Sequence, residues 1–115
     1  MIRISSFSYR KGGAADDAHF VFDCRKLKNP HFVEALRSLD GRDEPVQKFV
    51  ERDPDFGDLY AKSMFHALAF EGAHVAFGCF GGRHRSVAAA EMLAKALRDK
   101  GHQVEISHRE LADVL

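Results

Sequence analysis

The densest run of ligand-capable groups in this sequence is Gly78-Cys79-Phe80-Gly81-Gly82-Arg83-His84-Arg85-Ser86. Glycines let backbone N–H groups converge on a small anion with no Cβ in the way. Arg83 and Arg85 add fork-shaped donors suited to phosphate oxygens, and His84 and Ser86 add further donors at the same place. An apolar run, Ala73 to Phe77, precedes the stretch, and a helical pattern begins directly after Ser86. Strand, loop and helix N-terminus therefore follow in that order, and the helix aims its unpaired N–H groups and positive dipole end at the loop. A tight turn with its arginines in water is the simpler alternative. The convergence of side-chain and helix-end donors favours an anion cradle, and a phosphate ester is the anion it suits best.

The same residues admit a second chemistry. Cys79, five intervening residues, Arg85 and Ser86 match C-x-x-G-x-x-R-[ST], the spacing of cysteine-dependent phosphatases. A thiolate at a helix N-terminus is a competent nucleophile for phosphorus held by the arginine. Asp23 or Asp43 would then be the general acid. Gly78 stands where that family carries histidine, and a buried structural cysteine is the competing reading of Cys79.

These groups need elements to hold them. Ile2 to Tyr9 and His19 to Cys24 read as strands, Ala73 to Phe77 as a third and Val104 to Ser107 as a fourth. Phe32 to Leu39 and a segment around Val46, Phe49 and Val50 read as short helices, the first stopped at Asp40-Gly41 and the second at Asp53-Pro54. Phe56, Leu59, Tyr60, Ser63, Met64, Ala67 and Phe70 recur at helical spacing, placing a helix over about 58–71 that stops at Gly72. A further helix runs from the glycine-rich loop to about Lys100, with Val87, Ala90, Ala94 and Leu97 as its inward stripe and Leu93 beside it. Ser107-His108-Arg109-Glu110 has capping-box spacing and predicts a last helix through Val114.

Alternating strands and helices predict a single α/β domain over 1–115, with a mainly parallel sheet and flanking helices. Ligands in such sheets sit beyond the carboxyl ends of the strands. By that rule Asp23 and Arg25, the glycine-rich loop, and His108 and Arg109 face one crevice. Asp23 is poised to accept from a ligand hydroxyl or ammonium, or to cap its own loop. Arg25, and His31 after Asn29-Pro30, are either ligand contacts or surface groups.

Bulk properties narrow the function classes. The 115 residues carry 17 basic and 17 acidic side chains, a formal charge of zero, which lacks the electrostatic footprint of a free-standing nucleic-acid binder. No apolar run approaches a membrane span and no signal-peptide pattern opens the chain, so a cytoplasmic location and no membrane partner are expected. The two cysteines, Cys24 and Cys79, fit no zinc spacing and are expected reduced; neither metal nor organic cofactor is implied.

Taken whole, the chain resembles the C-terminal domain of the RapZ RNase adapter family. The likeness is carried by Ser6 to Gly12, by Val21-Phe22-Asp23-Cys24-Arg25-Lys26-Leu27-Lys28-Asn29-Pro30-His31, by Gly41 to Val46, by Gly78 to Val87, and by His108-Arg109. The resemblance implies a fold related to a phosphofructokinase subdomain that senses glucosamine-6-phosphate without turning it over. It implies a pocket built from Asp23, Arg25, His31, Arg52, Gly81, Gly82, His84 and Arg85. It also implies partners: a nucleotide-binding domain or a ribonuclease, with assembly into homo-oligomers left open. The chain contains no G-x-x-x-x-G-K-[ST], so it is expected either to stand alone or to meet that part on another chain. Phe80 replaces the threonine usual in the family's loop. The sequence closes on Glu110-Leu111-Ala112-Asp113-Val114-Leu115 where the RNA-binding members are basic, which disfavours RNA.

Overall fold

Strands β1 (Ile2–Ser8), β2 (Phe20–Asp23), β3 (His74–Cys79) and β4 (Val104–His108) lie in the order β2-β3-β1-β4, and every neighbouring pair is parallel. The computed structural model describes residues 1–111. Strand β3 is buried along its whole length, as a central strand of a covered sheet must be. In β1, Ile2 and Ile4 point into the core while Arg3 and Ser5 stay partly exposed, so the period of two fixes the face that meets the helices.

Four helices connect the strands: α1 (Glu34–Arg37), α2 (Glu44–Glu51), α3 (Phe56–Ala69) and α4 (Arg85–Asp99). Helix α4 packs on β1, β3 and β4, α3 packs on β2 and β3, and α2 bridges the two helices. Ala88, Ala89 and Ala90 in α4 are completely buried, and their small side chains give high helix propensity while letting the helix lie close to the sheet. The inward stripe Val87, Ala90, Ala94 and Leu97 is buried as its spacing predicts, and Leu93 beside it is buried too. The result is one compact α/β domain with an all-parallel four-stranded sheet and flanking helices.

Boundaries move for local reasons. Tyr9, expected at the end of the first strand, instead opens a short 3-10 turn (Tyr9–Lys11) capped by Ser8. The helix expected over 32–39 divides into a 3-10 turn (Pro30–Phe32), capped by the Asn29 side chain, and the single turn α1. Phe70 lies beyond the end of α3 as its C-cap and is exposed, so it leaves the predicted packed face. The predicted capping box does not form: Ser107 is still in β4, and the Glu110 carboxylate accepts from the Ser8 N–H at 3.1 Å. The rest of that predicted helix, through Val114, lies outside the described residues.

Polar stitches fix β1 to its neighbours. Ser6 Oγ lies 2.7 Å from His108 Nδ1, and His108 Nε2 lies 2.7 Å from Glu91 Oε2 on α4. On the opposite face Ser5 Oγ lies 2.7 Å from His74 Nε2. Among the described residues no helix is long and apolar enough to cross a membrane.

Candidate functional site

Because the sheet is parallel, all its strands deliver their carboxyl ends to one side. A cleft of about 500 Å³ opens there, between the loop after β3, the turn after β2 and the end of β1. This volume is in the range of small-molecule sites. His31, Gly81, Arg83, His84 and Arg85 of the predicted set line it, together with Cys79.

The glycine-rich loop is shaped by close packing. Gly82 sits at φ +70°, and a Cβ there would meet Glu110 Cγ and approach the Phe7 carbonyl carbon at 3.1 Å. Any other residue would strain the backbone and push the loop off β1. Among the described residues, no carbonyl accepts from the backbone N–H groups of Gly81, Gly82 or Arg83. They stand at the start of the fifteen-residue helix α4, whose N-cap His84 makes no side-chain cap hydrogen bond.

The basic side chains divide into two kinds. Arg83 is exposed in the cleft, and among the described residues its guanidinium makes no hydrogen bond or ion pair, although its carbonyl accepts from the Gly41 N–H at 2.8 Å. Arg85 is only 4% exposed, and its Nη1 donates to the carbonyls of Arg25 at 2.8 Å and Leu27 at 3.1 Å. Its Nε is buried without a partner. Arg85 thus clamps the turn after β2 against the start of α4 while still lining the cleft. His84, 9% exposed, has a buried Nε2 that meets no protein acceptor or donor. Burial pushes its pKa down, and the charge of Arg83 acts in the same direction, against the carbonyl of Leu39.

Cys79 ends β3 at 2% exposure, with Sγ 3.1 Å from Ser86 Oγ and 3.5 Å from the Ser86 N–H that donates to it. Ser86 is fully buried behind it, so its hydroxyl serves this contact. Cys24 lies in the same core, and burial, then the nearby Cys79, pushes its thiol well up. Neither cysteine is in a disulfide.

The remaining predicted residues lie elsewhere. Asp23 and Arg25 pair with each other: Arg25 Nη2 meets Asp23 Oδ2 at 2.6 Å and Nε meets Oδ1 at 3.0 Å. The Arg25 side chain thereby holds the Asp23 carboxyl below the usual carboxylate range. The guanidinium also stacks on the Tyr9 ring, 3.8 Å from its centroid. Asp23 lines a separate shallow groove with Lys26, Asp58 and Lys62. Arg52 is the exposed C-cap of α2 and does not line the cleft. Asp43 spends its carboxylate on the Asp40 N–H at 2.9 Å.

His108 and Arg109 correct the one-crevice expectation. His108 is occupied by Ser6 and Glu91, and Arg109 donates to the carbonyls of Gly13, Ser8 and Lys11. They belong to a second cleft beside Ser5 and His74, because β4 is the edge strand on the far side of β1 from β3. Conversely, Arg10, Asn29 and Phe32 line the cleft without having been singled out as site residues, as does Phe80, noted only as a departure from the family's loop. Arg10 follows the end of β1, so the strand-end rule applied to that strand would have found it.

Comparison with known proteins places this architecture. A family model described as the RapZ C-terminal domain matches residues 1–112. The chain belongs to the RapZ C-terminal domain family. A protein of Cereibacter sphaeroides named nucleotide-binding protein is 44% identical over 119 residues, covering 96% of this chain and 39% of its own length. One of the same description from a Ruegeria species is 46% identical over 119 residues, with 96% and 39% covered. Another, from Rhodospirillum centenum, is 46% identical over 117 residues, with 94% and 35% covered. The chain therefore spans about two fifths of the length of the curated relatives it matches.

Proposed function

We propose that this RapZ C-terminal-type domain is a regulatory binding module that holds a phosphorylated small molecule over the N-terminus of α4. One observation carries the reading: unbonded loop N–H groups, the unpaired Arg83 guanidinium and the partnerless Nε2 of buried His84 converge at a helix N-terminus. A dianionic phosphate supplies acceptors to all of them at once. Glucosamine-6-phosphate is the ligand that the family resemblance suggests, and the domain would sense it without turning it over. The signal would pass to a protein partner such as a nucleotide-binding domain, in keeping with the greater length and the printed names of the relatives. A cytoplasmic site of action goes with this role.

A cysteine phosphatase remains the competing reading, since Cys79 Sγ accepts a helix-end N–H. Opposing it, the Cys79 side chain is almost fully buried with its Sγ packed on Ser86, and Asp23 is held ionised where a general acid must carry a proton. The test is a calorimetric titration with glucosamine-6-phosphate followed by a free-phosphate assay on the same mixture. Saturable heat without released phosphate, unchanged in Cys79→Ser, is the expected result. Phosphate release abolished by Cys79→Ser would overturn the sensor role.

A further inference from the structure

The second cleft, of about 410 Å³, opens beside β1 and shares no lining residue with the candidate phosphate cleft. Its polar groups come from three neighbouring strands and one loop. Ser5 of β1 and Ser107 of β4 are Cα partners, so their side chains leave the sheet on one face. His74 stands on β3 two places before Ala76, the partner of Ser5, and shares that face. Asp17, on the loop between β1 and β2, reaches the same cleft, and Phe7 and Ala15 give it an apolar side.

Ser5, His74 and Asp17 form a chain. Ser5 Oγ lies 2.7 Å from His74 Nε2, and His74 Nδ1 lies 3.3 Å from Asp17 Oδ1. A strand stitch uses one ring nitrogen. Here the second is buried as well, meets no well-directed hydrogen bond, and is turned toward a carboxylate. Contacts of this kind are often long or poorly aligned until a substrate closes them. Arg3 Nη1 donates to the other Asp17 oxygen at 2.7 Å and so holds that carboxyl below the usual carboxylate range. The remaining titratable neighbour, His19, accepts the His74 backbone N–H on Nδ1 at 2.9 Å. Ser6 makes a similar chain with His108 and Glu91, but it is 1% exposed and sealed from any substrate, whereas Ser5 is partly exposed.

We propose that Ser5 is a nucleophilic serine that takes the acyl group of a short-chain ester, with His74 as its base and Asp17 positioning the imidazole. Ser5 Oγ bonds to the ester carbonyl carbon as its proton passes to His74 Nε2, and the alcohol departs with that proton. Water then attacks the acyl carbon, its proton passes to the same nitrogen and on to Ser5 Oγ, and the carboxylic acid leaves. Between these transfers the charge on His74 faces the ionised Asp17. The Ser107 hydroxyl, exposed and without a hydrogen bond among the described residues, is the donor in register with the developing oxyanion. The activity does not depend on the ligand proposed for the N-terminus of α4.

The experiment incubates the 115-residue chain with a fluorophosphonate probe, from which Ser5 Oγ displaces fluoride, and maps the adduct by peptide mass spectrometry. Hydrolysis of p-nitrophenyl acetate is followed on the same preparation. A single adduct, on Ser5, and turnover that Ser5→Ala and His74→Gln each abolish are the expected results. Asp17→Asn, on an exposed loop residue, should slow labelling about a hundredfold, and Asp17→Glu should restore most of the rate, as a positioning carboxylate requires. Ser107→Ala should slow turnover by about the same factor. These two exposed positions carry the test if His74→Gln does not fold. An unlabelled chain, an adduct on another residue, or a labelling rate indifferent to Asp17→Asn would each overturn the proposal.

Discussion

Arg85 and Arg83 sit two residues apart in the loop, yet the structure assigns them different work, and substituting each by alanine separates the two. The Arg85 guanidinium is buried and gives Nη1 to two carbonyls, those of Arg25 and Leu27, in a turn that has no helix or ladder to satisfy them. Arg85→Ala strands both acceptors and leaves the volume of a long side chain against the start of α4. A stranded buried acceptor costs about 1–3 kcal/mol, which gives a total near 3 kcal/mol for two, one of them part-buried. For a domain of this size each kcal/mol moves the melting temperature by about 4 °C, so the loss should be near 12 °C. Arg83, exposed and unpaired, should leave the melting temperature where it is when replaced by alanine, while phosphate affinity falls. Urea denaturation and calorimetry with inorganic phosphate on both variants read the two effects independently. An Arg85→Ala protein that melts within about 2 °C of the parent would refute the clamp, and would mean that the hydrogen bonds to the turn contribute nothing net.

Two further outcomes follow from the same geometry. A Cβ at Gly41 would lie 2.6 Å from the His84 carbonyl oxygen and 2.6 Å from the Val87 carbonyl carbon, backbone atoms that cannot swing aside, so Gly41→Ala should cost about 3 kcal/mol in denaturant unfolding and weaken phosphate binding by displacing the helix start. Since burial lowers the His84 pKa in the folded chain, the unfolded chain takes up its proton first. Ligand-free stability should therefore fall as pH drops through about 6.5 toward the folded value, a slope that His84→Gln removes and that bound phosphate opposes.

The parts of the fold that could be read in the sequence are those with a strong local period. Helix α4 has an unbroken inward stripe and begins at a glycine-rich loop; β3 is a short apolar run between two turns, and both lie within a few residues of where they were expected. The strand-loop-helix arrangement of the candidate cradle was legible because helix start, glycines and arginines are contiguous. Contacts between loops carry no such period. The sequence does not show that Arg25 turns two residues back onto Asp23, or that Arg85 reaches sixty residues away to the carbonyl of Arg25. Nor does it show that Phe32 and Phe80, 48 positions apart by subtraction, meet one cleft. His108 was placed at the right end of the right strand and still faced the wrong cleft, because the order β2-β3-β1-β4 puts β1 between it and the loop.

That topology also accounts for how a phosphatase-like spacing can stand in the binding site proposed above. The spacing Cys79-x5-Arg85-Ser86 is met in full, and the strand-loop-helix geometry it specifies is present. The side chains, however, are turned to other ends. Gly78 cannot carry the histidine of the phosphatase pattern, because a Cβ there would run into the Phe7 ring and lie 2.6 Å from Tyr9 Cε2. Cys79 and Ser86 close on each other in the core, tying the end of β3 to the first turn of α4. Arg85 holds the neighbouring turn rather than standing free in the cleft, and Arg83, two positions before it at one of the pattern's unspecified places, is the guanidinium left for the proposed anion. On the function proposed above, a loop whose thiol is packed against Ser86, whose nearby acid is ion-paired and whose N–H donors are free would hold a phosphate ester and release it intact.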